Sequence, residues 1–154
     1  MSRTKPPRVL AIASAGGHWI QLRRLRPALE GADVLWVTTK AGYRDEMEPG
    51  ERFAVVPDAN RWNKLRLAWS AARILLTVLR HRPNVVMTTG AAPGYFAIRF
   101  GKLLGARTLW VDSIANADEL SMSGKLALKV ADRTLTQWPH VATGDTTEFR
   151  GAVL

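Results

Sequence analysis

Short apolar segments alternate with longer amphipathic segments along most of the chain, and this alternation limits the possible folds more than any other feature. The short segments predict six strands, at residues 8–14, 34–39, 53–56, 84–88, 107–111 and 133–136. Between them the pattern predicts helices at residues 19–30, 62–82 and 124–131, and a helix that ends at residue 104. Because parallel strands need long crossover connections, usually helices, we expect a Rossmann-like α/β fold, a parallel sheet with helices on both faces.

The length and composition fit a single domain. The 154 residues are enough to bury a hydrophobic core, and we predict one domain over residues 1–154. The chain has no cysteine, and its three histidines are not spaced as metal ligands, so no metal site is predicted. The basic start, residues 1–8, precedes an apolar run too short for a signal peptide or a membrane span.

The chain is strongly basic. It has 22 Lys and Arg against 13 Asp and Glu, a formal net charge of +9. Such a charge favours polyanionic partners, either nucleic acid or an anionic membrane surface. Because the basic residues are dispersed and no nucleic-acid-binding motif is present, we expect a membrane surface and no nucleic acid.

The first predicted strand leads into a glycine loop that suits ligand binding. Ser14, Gly16, Gly17 and His18 follow the apolar strand and open the next helix. Glycine lets the backbone approach a ligand closely, and a helix N-terminus presents free N–H groups to an anion. His18 can transfer a proton near neutral pH and is a candidate general base. The alternative is that the glycine pair only turns the chain and that His18 is structural.

Two further loops are predicted at the same carboxyl edge of the sheet, where ligands bind in open parallel sheets. The loop after strand 84–88 would supply a hydroxyl and a flexible backbone around a phosphate or sugar, through Thr89, Gly90 and Ala91. After strand 107–111, Asp112 is a candidate proton acceptor or orienting group for His18, or alternatively a cap on the next turn. Asn116 and Lys125 are predicted supporting polar contacts.

The two helices nearest the N-terminus differ in their apolar patterns. In helix 19–30 the predicted inward side chains are those of Ile20, Leu22, Leu25 and Leu29. Helix 62–82 has two apolar faces, although packing on a sheet needs only one. A narrow polar stripe is predicted along it at Arg66, Ser70, Arg73, Thr77 and Arg80.

The surplus apolar face of helix 62–82 suits the headgroup region of an anionic membrane. The predicted membrane or partner contacts are Trp62, Leu65, Trp69, Arg73, Leu76 and Arg80. The alternative is burial between the sheet and a neighbouring helix or subunit. Arg66 and Arg73 interrupt the apolar run, so the helix is not predicted to span a membrane.

Five ordered segments together carry a family resemblance: residues 14–22, 82–91, 112–116, 123–132 and 137–138. With these segments, and with the closing residues 151–154, the chain resembles the polysaccharide-biosynthesis glycosyltransferase subunits of the PssD type. These subunits are related to the eukaryotic membrane-anchoring subunit of the bipartite dolichol-linked UDP-GlcNAc transferase. They are also similar to the N-terminal half of MurG-like GT-B enzymes.

The resemblance implies half of a split enzyme. The chain would bind a polyprenyl diphosphate-linked acceptor in polysaccharide or oligosaccharide biosynthesis, and a second glycosyltransferase chain would hold the UDP-sugar. It implies a peripheral location on the cytoplasmic face of the membrane and no cofactor besides the UDP-sugar co-substrate. His18 would be the base, with Asp112 second, and the glycine loops would surround the acceptor pyrophosphate. The alternative is a non-catalytic membrane anchor or activator that recruits a catalytic chain.

Overall fold

The structure, a computed structural model, describes residues 4–153; the first three residues of the basic start and Leu154 lie outside it. The strands are β1 (Arg8–Ile12), β2 (Asp33–Thr38), β3 (Arg52–Val55), β4 (Val85–Thr88), β5 (Arg107–Val111), β6 (Arg133–Thr136) and β7 (Glu148–Phe149). The helices are α1 (Gly17–Arg24), α2 (Lys64–His81), α3 (Ala91–Leu103) and α4 (Met122–Ala127). Short 3-10 helices lie at Arg26–Leu29, Ala41–Glu46 and Pro139–Val141.

The strands form one sheet in the order β3-β2-β1-β4-β5-β6-β7, and every neighbouring pair is parallel. This confirms the predicted parallel α/β architecture. The edge strand β7 was not predicted, because its two residues are too few to show an alternating pattern.

The side chains of β1 show why helices cover both faces of the sheet. Leu10 and Ile12 pack in the cluster that includes side chains of α2, α3 and α4. Ala11, and Ala13 just after the strand, pack in a second cluster with side chains of α1. Since successive residues of a strand point to opposite faces, the central strand is buried on both sides. The fold therefore has two cores separated by the sheet.

The first helix is shorter than predicted and faces the sheet through different residues. It ends at Arg24, and a 3-10 helix follows, because the ring of Pro27 disfavours continuation of an α-helix. The prediction that Ile20 points inward was wrong: its side chain is 51% exposed, whereas Trp19 and Leu22 are buried. Trp19 takes the inward position because it packs edge-on against Trp36 of β2, at 6.3 Å between ring centroids.

Helix α2 rests on the sheet with one apolar face and exposes the other. Ile74 and Val78 are fully buried, whereas Trp62 just before the helix is 79% exposed and Leu65 is 86% exposed. The predicted surplus apolar face is therefore uncovered in this chain. Ser70 was wrongly predicted on the polar stripe: it is buried, one turn before Ile74, on the side that meets the sheet. Within residues 4–153, no helix is both long enough and apolar enough to cross a membrane.

Two other boundaries differ from the prediction, and the connection between β2 and β3 contains the 3-10 helix Ala41–Glu46. The segment 89–94 is mostly helical, because α3 begins at Ala91 and accommodates Pro93 in its first turn, where a missing N–H costs nothing. Helix α4 begins at Met122, where the Ser121 side chain accepts a hydrogen bond from the Gly124 N–H and caps the helix.

Candidate functional site

The point where the strand order reverses lies between β1 and β4, which are adjacent in the sheet. The segments that follow β1 and β4 cross to opposite faces of the sheet, since α1 packs in one core and α3 in the other. Such a switch point leaves a crevice at the carboxyl edge of a parallel sheet, and ligands bind there in folds of this class. The loops that follow β1 and β4 are the two glycine loops singled out in the sequence.

His18 and Thr89 join these two loops by reciprocal hydrogen bonds. The His18 Nδ1 atom lies 3.0 Å from the Thr89 carbonyl oxygen, and the Thr89 hydroxyl donates to the His18 carbonyl at 2.6 Å. Because a carbonyl oxygen can only accept, this contact assigns the proton of a neutral imidazole to Nδ1. The Nε2 atom, which has no hydrogen-bond partner among residues 4–153, then carries the lone pair that a general base needs.

Gly90 makes this contact sterically possible. Its φ of +135° lies in a region that side chains disfavour, and a Cβ built there would lie 2.7 Å from the His18 Nδ1 atom. The next residue, Ala91, has a φ of +67°, an uncommon conformation for a residue other than glycine. Strained backbone of this kind concentrates at ligand-binding loops.

Two helix N-termini meet beside the His18 ring. The backbone N–H groups of Gly17 and His18 in α1, and of Ala91 and Ala92 in α3, have no partner within the described residues. Each helix N-terminus carries about half a positive charge, so the crevice favours an anion. The N–H of Gly16 is not available to a ligand, because it donates to the Tyr43 hydroxyl at 3.0 Å.

Asp112 does not orient His18, which corrects the pairing expected from the sequence. The carboxylate is 1% exposed and accepts four hydrogen bonds. The donors are the Trp110 indole, the Asn116 amide, and the backbone and hydroxyl of Ser121. The carbonyl of Thr89 takes the place that Asp112 was expected to fill. In this structure Asp112 binds the loop to the start of α4, which matches the alternative of a cap.

Of the other predicted site residues, one lies in the loop after β1 and two make contacts with other side chains. Ser14 is half-buried near the start of the loop that follows β1. The Asn116 amide is bound to Asp112 at 3.1 Å, and the Lys125 ammonium pairs with Glu119 at 2.6 Å. Asn116 and Lys125 are therefore already engaged by other side chains. Within residues 4–153, no three His, Asp or Glu side chains form a group that could hold a metal ion.

A buried amide pair, missed in the sequence, connects the third loop to α1. The Gln21 Oε1 atom accepts from the Ile114 N–H at 3.0 Å and from the Gln137 side chain at 2.5 Å. The Gln21 amide nitrogen donates to the Ser113 hydroxyl at 3.1 Å. Gln137 also accepts from the Val153 N–H at 2.9 Å. The available signal was that these are the only two glutamines of the chain, and that both lie in the segments that carry the family resemblance.

Aromatic and ionic contacts hold α1 in place from the other side. Trp19 stacks on Tyr43 at 5.4 Å between ring centroids, with 9° between the planes. The Arg23 guanidinium lies 4.4 Å from the Trp36 ring centroid and makes two hydrogen bonds to the Glu51 carboxylate, at 3.0 and 2.9 Å. Bidentate pairing and ring stacking both restrict an arginine, so they fix the helix that carries His18.

The family profile described as "Oligosaccharide biosynthesis protein Alg14 like" matches residues 59–153, which is more than half of the chain. The chain belongs to this family. The Alg14-like chain is 36% identical over 171 residues to the UDP-N-acetylglucosamine transferase subunit alg14 of Schizosaccharomyces pombe, covering 92% of this chain and 81% of the relative. It is 30% identical over 169 residues to the subunit ALG14 of Eremothecium gossypii, covering 89% of this chain and 75% of the relative.

Solved structures support the fold of the Alg14-like chain. It superposes on the crystal structure of Acinetobacter baumannii MurG with a TM-score of 0.77 at 14% identity, covering 97% of this chain and 46% of MurG. It superposes on the S. aureus MnaA–UDP structure with a TM-score of 0.71 at 13% identity, covering 96% and 44%. The chain thus has the fold of the N-terminal domain of GT-B glycosyltransferases and spans less than half the length of these two proteins.

These comparisons confirm the relation to the eukaryotic transferase subunit and to MurG-like folds. The more specific assignment to the PssD type stays a prediction.

Proposed function

We propose that this Alg14-like chain is the acceptor-binding subunit of a heteromeric, UDP-sugar-dependent glycosyltransferase that extends a lipid-linked oligosaccharide or polysaccharide precursor. Its acceptor would be a sugar linked to a polyprenyl diphosphate. The relatives' designation as UDP-N-acetylglucosamine transferase subunits favours UDP-GlcNAc as the co-substrate. No further cofactor is proposed.

One observation carries this proposal: the Nε2 edge of His18, which has no partner in the described part of the chain, lies at a crevice formed by two helix N-termini. A diphosphate-linked acceptor needs both features. The N–H groups of Gly17 and Ala91 would bind the diphosphate, and His18 would remove the proton from the attacking sugar hydroxyl. The Thr89 carbonyl keeps the imidazole in the required tautomer, and the Gln21 network positions the helix that carries it.

The second half of the active site would come from another chain. GT-B enzymes close two similar domains over their substrates, and the solved structures of this fold are more than twice as long as this chain. The crevice at β1 and β4 opens at the sheet edge, where a second domain would supply the UDP-sugar.

Membrane docking would use the exposed face of α2. Trp62, Leu65 and Trp69 are exposed, and guanidinium groups accompany two of them: Arg61 lies 4.6 Å from the Trp62 ring centroid and Arg73 lies 5.8 Å from that of Trp69. Tryptophan with arginine suits the boundary between headgroups and acyl chains. The chain would then lie peripherally on the cytoplasmic face of the membrane, with Leu76 and Arg80 continuing the contact.

The test begins with gentle affinity purification of the tagged chain from its native membranes. We expect a second chain in near-stoichiometric amount, and expect the complex to transfer sugar from UDP-GlcNAc to a polyprenyl diphosphate-linked acceptor. A solitary chain recovered from the soluble fraction would contradict both the partner and the membrane parts of the proposal. A complex that binds the acceptor but does not transfer any sugar would contradict the enzymatic part.

A second function is favoured by the extent of the α2 face and by the structural role of Asp112. In it the chain is a non-catalytic anchor and activator, and His18 only joins two loops. This alternative predicts normal turnover in the complex after replacement of His18, provided that the variant folds and binds its partner.

A further inference from the structure

A basic cleft lies at the amino edge of the sheet, opposite the candidate site. It lies between the C-terminal ends of α2 and α3 and has a volume of about 790 Å³. Arg8, Arg82 and Arg107 contribute to its lining, together with the exposed leucines Leu79 and Leu104. The cleft therefore combines cationic groups with apolar surface, a combination that suits an amphiphile carrying a phosphate.

The arginines of this cleft are available to a ligand. None of them lies within 4.0 Å of a carboxylate among the described residues. The Nε atom of Arg8 donates to the Arg82 carbonyl at 2.9 Å, which orients the guanidinium while both terminal nitrogens stay without a partner in residues 4–153. In an adjoining cleft Asp33 is engaged by Arg52 at 3.0 Å.

The backbone at Arg82 is a second observation that singles out this place. Arg82 has φ 49° and ψ 60°, the left-handed conformation at the end of α2. Glycine is the residue that usually occupies this helix-terminating position, because a Cβ is unfavourable there. An arginine at such a position sacrifices stability, and a binding role of its side chain would explain it.

The net charge around the cleft favours an anion, although the C-terminal ends of two helices also lie there. The C-termini of α2 and α3 each contribute about half a negative charge, against three guanidinium charges, so about two positive charges remain. Like charges around one cleft repel each other, and a bound phosphate relieves that repulsion.

We propose that this cleft binds the phosphate of an anionic phospholipid headgroup, with Leu79 and Leu104 against the adjacent apolar part of the lipid. The inference rests on the membrane part of the proposed function and extends the contact from the exposed face of α2 to the amino edge of the sheet. The second contact would hold α2 flat on the membrane surface.

The experiment measures cosedimentation of the full chain with vesicles of phosphatidylcholine alone and of phosphatidylcholine with phosphatidylglycerol. We expect Arg8→Gln and Arg107→Gln each to lower affinity for the anionic vesicles about fivefold, and to leave binding to neutral vesicles unchanged. Arg44→Gln, which removes one charge from the opposite edge of the sheet, is the matched control and should change little. An equal loss in the control would overturn the site, because only net charge would then matter.

Arg82→Gly separates binding from folding. We expect this variant to raise the midpoint of thermal unfolding, because glycine suits the left-handed position, and yet to bind anionic vesicles less tightly. Unchanged vesicle binding in this more stable variant would contradict the proposal.

Two further arms identify the ligand and separate the two proposals. Titration of the protein with inorganic phosphate should shift the NMR signals of the cleft arginines only weakly. If phosphate instead saturates the cleft and abolishes vesicle binding, the ligand is free phosphate and the assignment to a lipid is overturned. Trp62→Ser with Leu65→Ser should weaken binding to neutral and anionic vesicles alike. If it does not, the proposed membrane role of α2 is contradicted. The cleft is judged separately, by the binding of the arginine variants to anionic vesicles.

Discussion

The carbonyl oxygen of Thr89 lies 3.0 Å from the Nδ1 atom of His18, across two loops that are 71 residues apart in the chain. A main-chain carbonyl cannot take up the imidazole proton, so it fixes the orientation and the tautomer of the ring without competing for the proton of a substrate. Carboxylates do the same for histidines in many enzymes, but here the Asp112 carboxylate accepts from four other donors.

Replacement of His18 tests its role as the base. In the assembled transferase we expect His18→Ala to lower kcat about 10²–10⁴-fold with a smaller change in KM, because proton removal occurs in the transition state. Steady-state kinetics of the purified complex measures both constants. His140→Ala is the matched control, since His140 is an exposed histidine bound to the Ala117 carbonyl. A kcat within a few-fold of wild type would show that His18 is not the base.

Gly90→Ala should displace the His18 ring. The new Cβ would lie 2.7 Å from Nδ1, and the φ of +135° adds backbone strain. Gly105→Ala is the matched control, because Gly105 also has a positive φ, +86°, but nothing lies within 4 Å of its Cβ position. Both variants should lose about 1–2 kcal/mol of stability through strain, but only Gly90→Ala should shift the imidazole NMR signals of His18. Identical imidazole spectra for the two variants would contradict the close contact.

Gln21→Leu should destabilise the fold strongly, although the two side chains are similar in size. It leaves the partly buried N–H of Ile114 without its acceptor and removes a partner from the buried Gln137 side chain. Each buried polar group left unpaired costs about 1–3 kcal/mol. Urea denaturation measures the change in the free energy of unfolding. A loss of unfolding free energy below about 1 kcal/mol would mean that water or another side chain replaces the amide.

Ser70→Ala should have the opposite effect. Within the described residues the Ser70 hydroxyl is buried without a hydrogen-bond partner, so its removal takes away a desolvation cost. We expect a gain of about 1 kcal/mol in the free energy of unfolding. Thr77→Ala is a useful comparison on the same helix, because the Thr77 hydroxyl donates to the Arg73 carbonyl at 2.9 Å and is not expected to give that gain. A loss of stability in Ser70→Ala would show that the hydroxyl is bonded in solution.

The protein should become less stable as the pH is lowered, because of His81. Burial lowers the pKa of the His81 imidazole below its ordinary value of 6.5, and the charges of Arg52 and Arg8 act in the same direction. The hydrogen bond to the Val9 carbonyl and the charge of Asp33 oppose this shift. As the pH falls from about 6.5, the unfolded chain takes up a proton that the folded chain does not, so folding is disfavoured down to the lowered pKa.

His81→Gln keeps a donor toward the Val9 carbonyl and removes this titration. Urea denaturation of the wild type and the variant across that pH range should therefore give a flatter stability curve for the variant. His140→Gln serves as the control and should follow the wild type. Parallel curves for all three proteins would mean that His81 titrates alike in the folded and unfolded chain.

Much of the architecture could be predicted from hydrophobic periodicity alone. Short apolar runs and amphipathic helices in alternation define a parallel sheet, and the carboxyl ends of parallel strands must share one edge. The meeting of the glycine loops follows from that rule. The exposed face of α2 was predictable for a similar reason, because a helix with two apolar faces has more apolar surface than one sheet can cover.

The partners of individual polar side chains depended on the tertiary structure. Gln21 meets Gln137 across 116 residues, Thr89 replaces Asp112 as the partner of His18, and Trp19 displaces Ile20 from the inward position. Periodicity reports which face a residue occupies, but a hydrogen bond needs two atoms about 3 Å apart in a narrow range of angles. That distance is set by how α1, α3 and the sheet pack together. The sequence by itself therefore determined the layers and the edge that carries the site, and the packing of those layers decided which side chains form it.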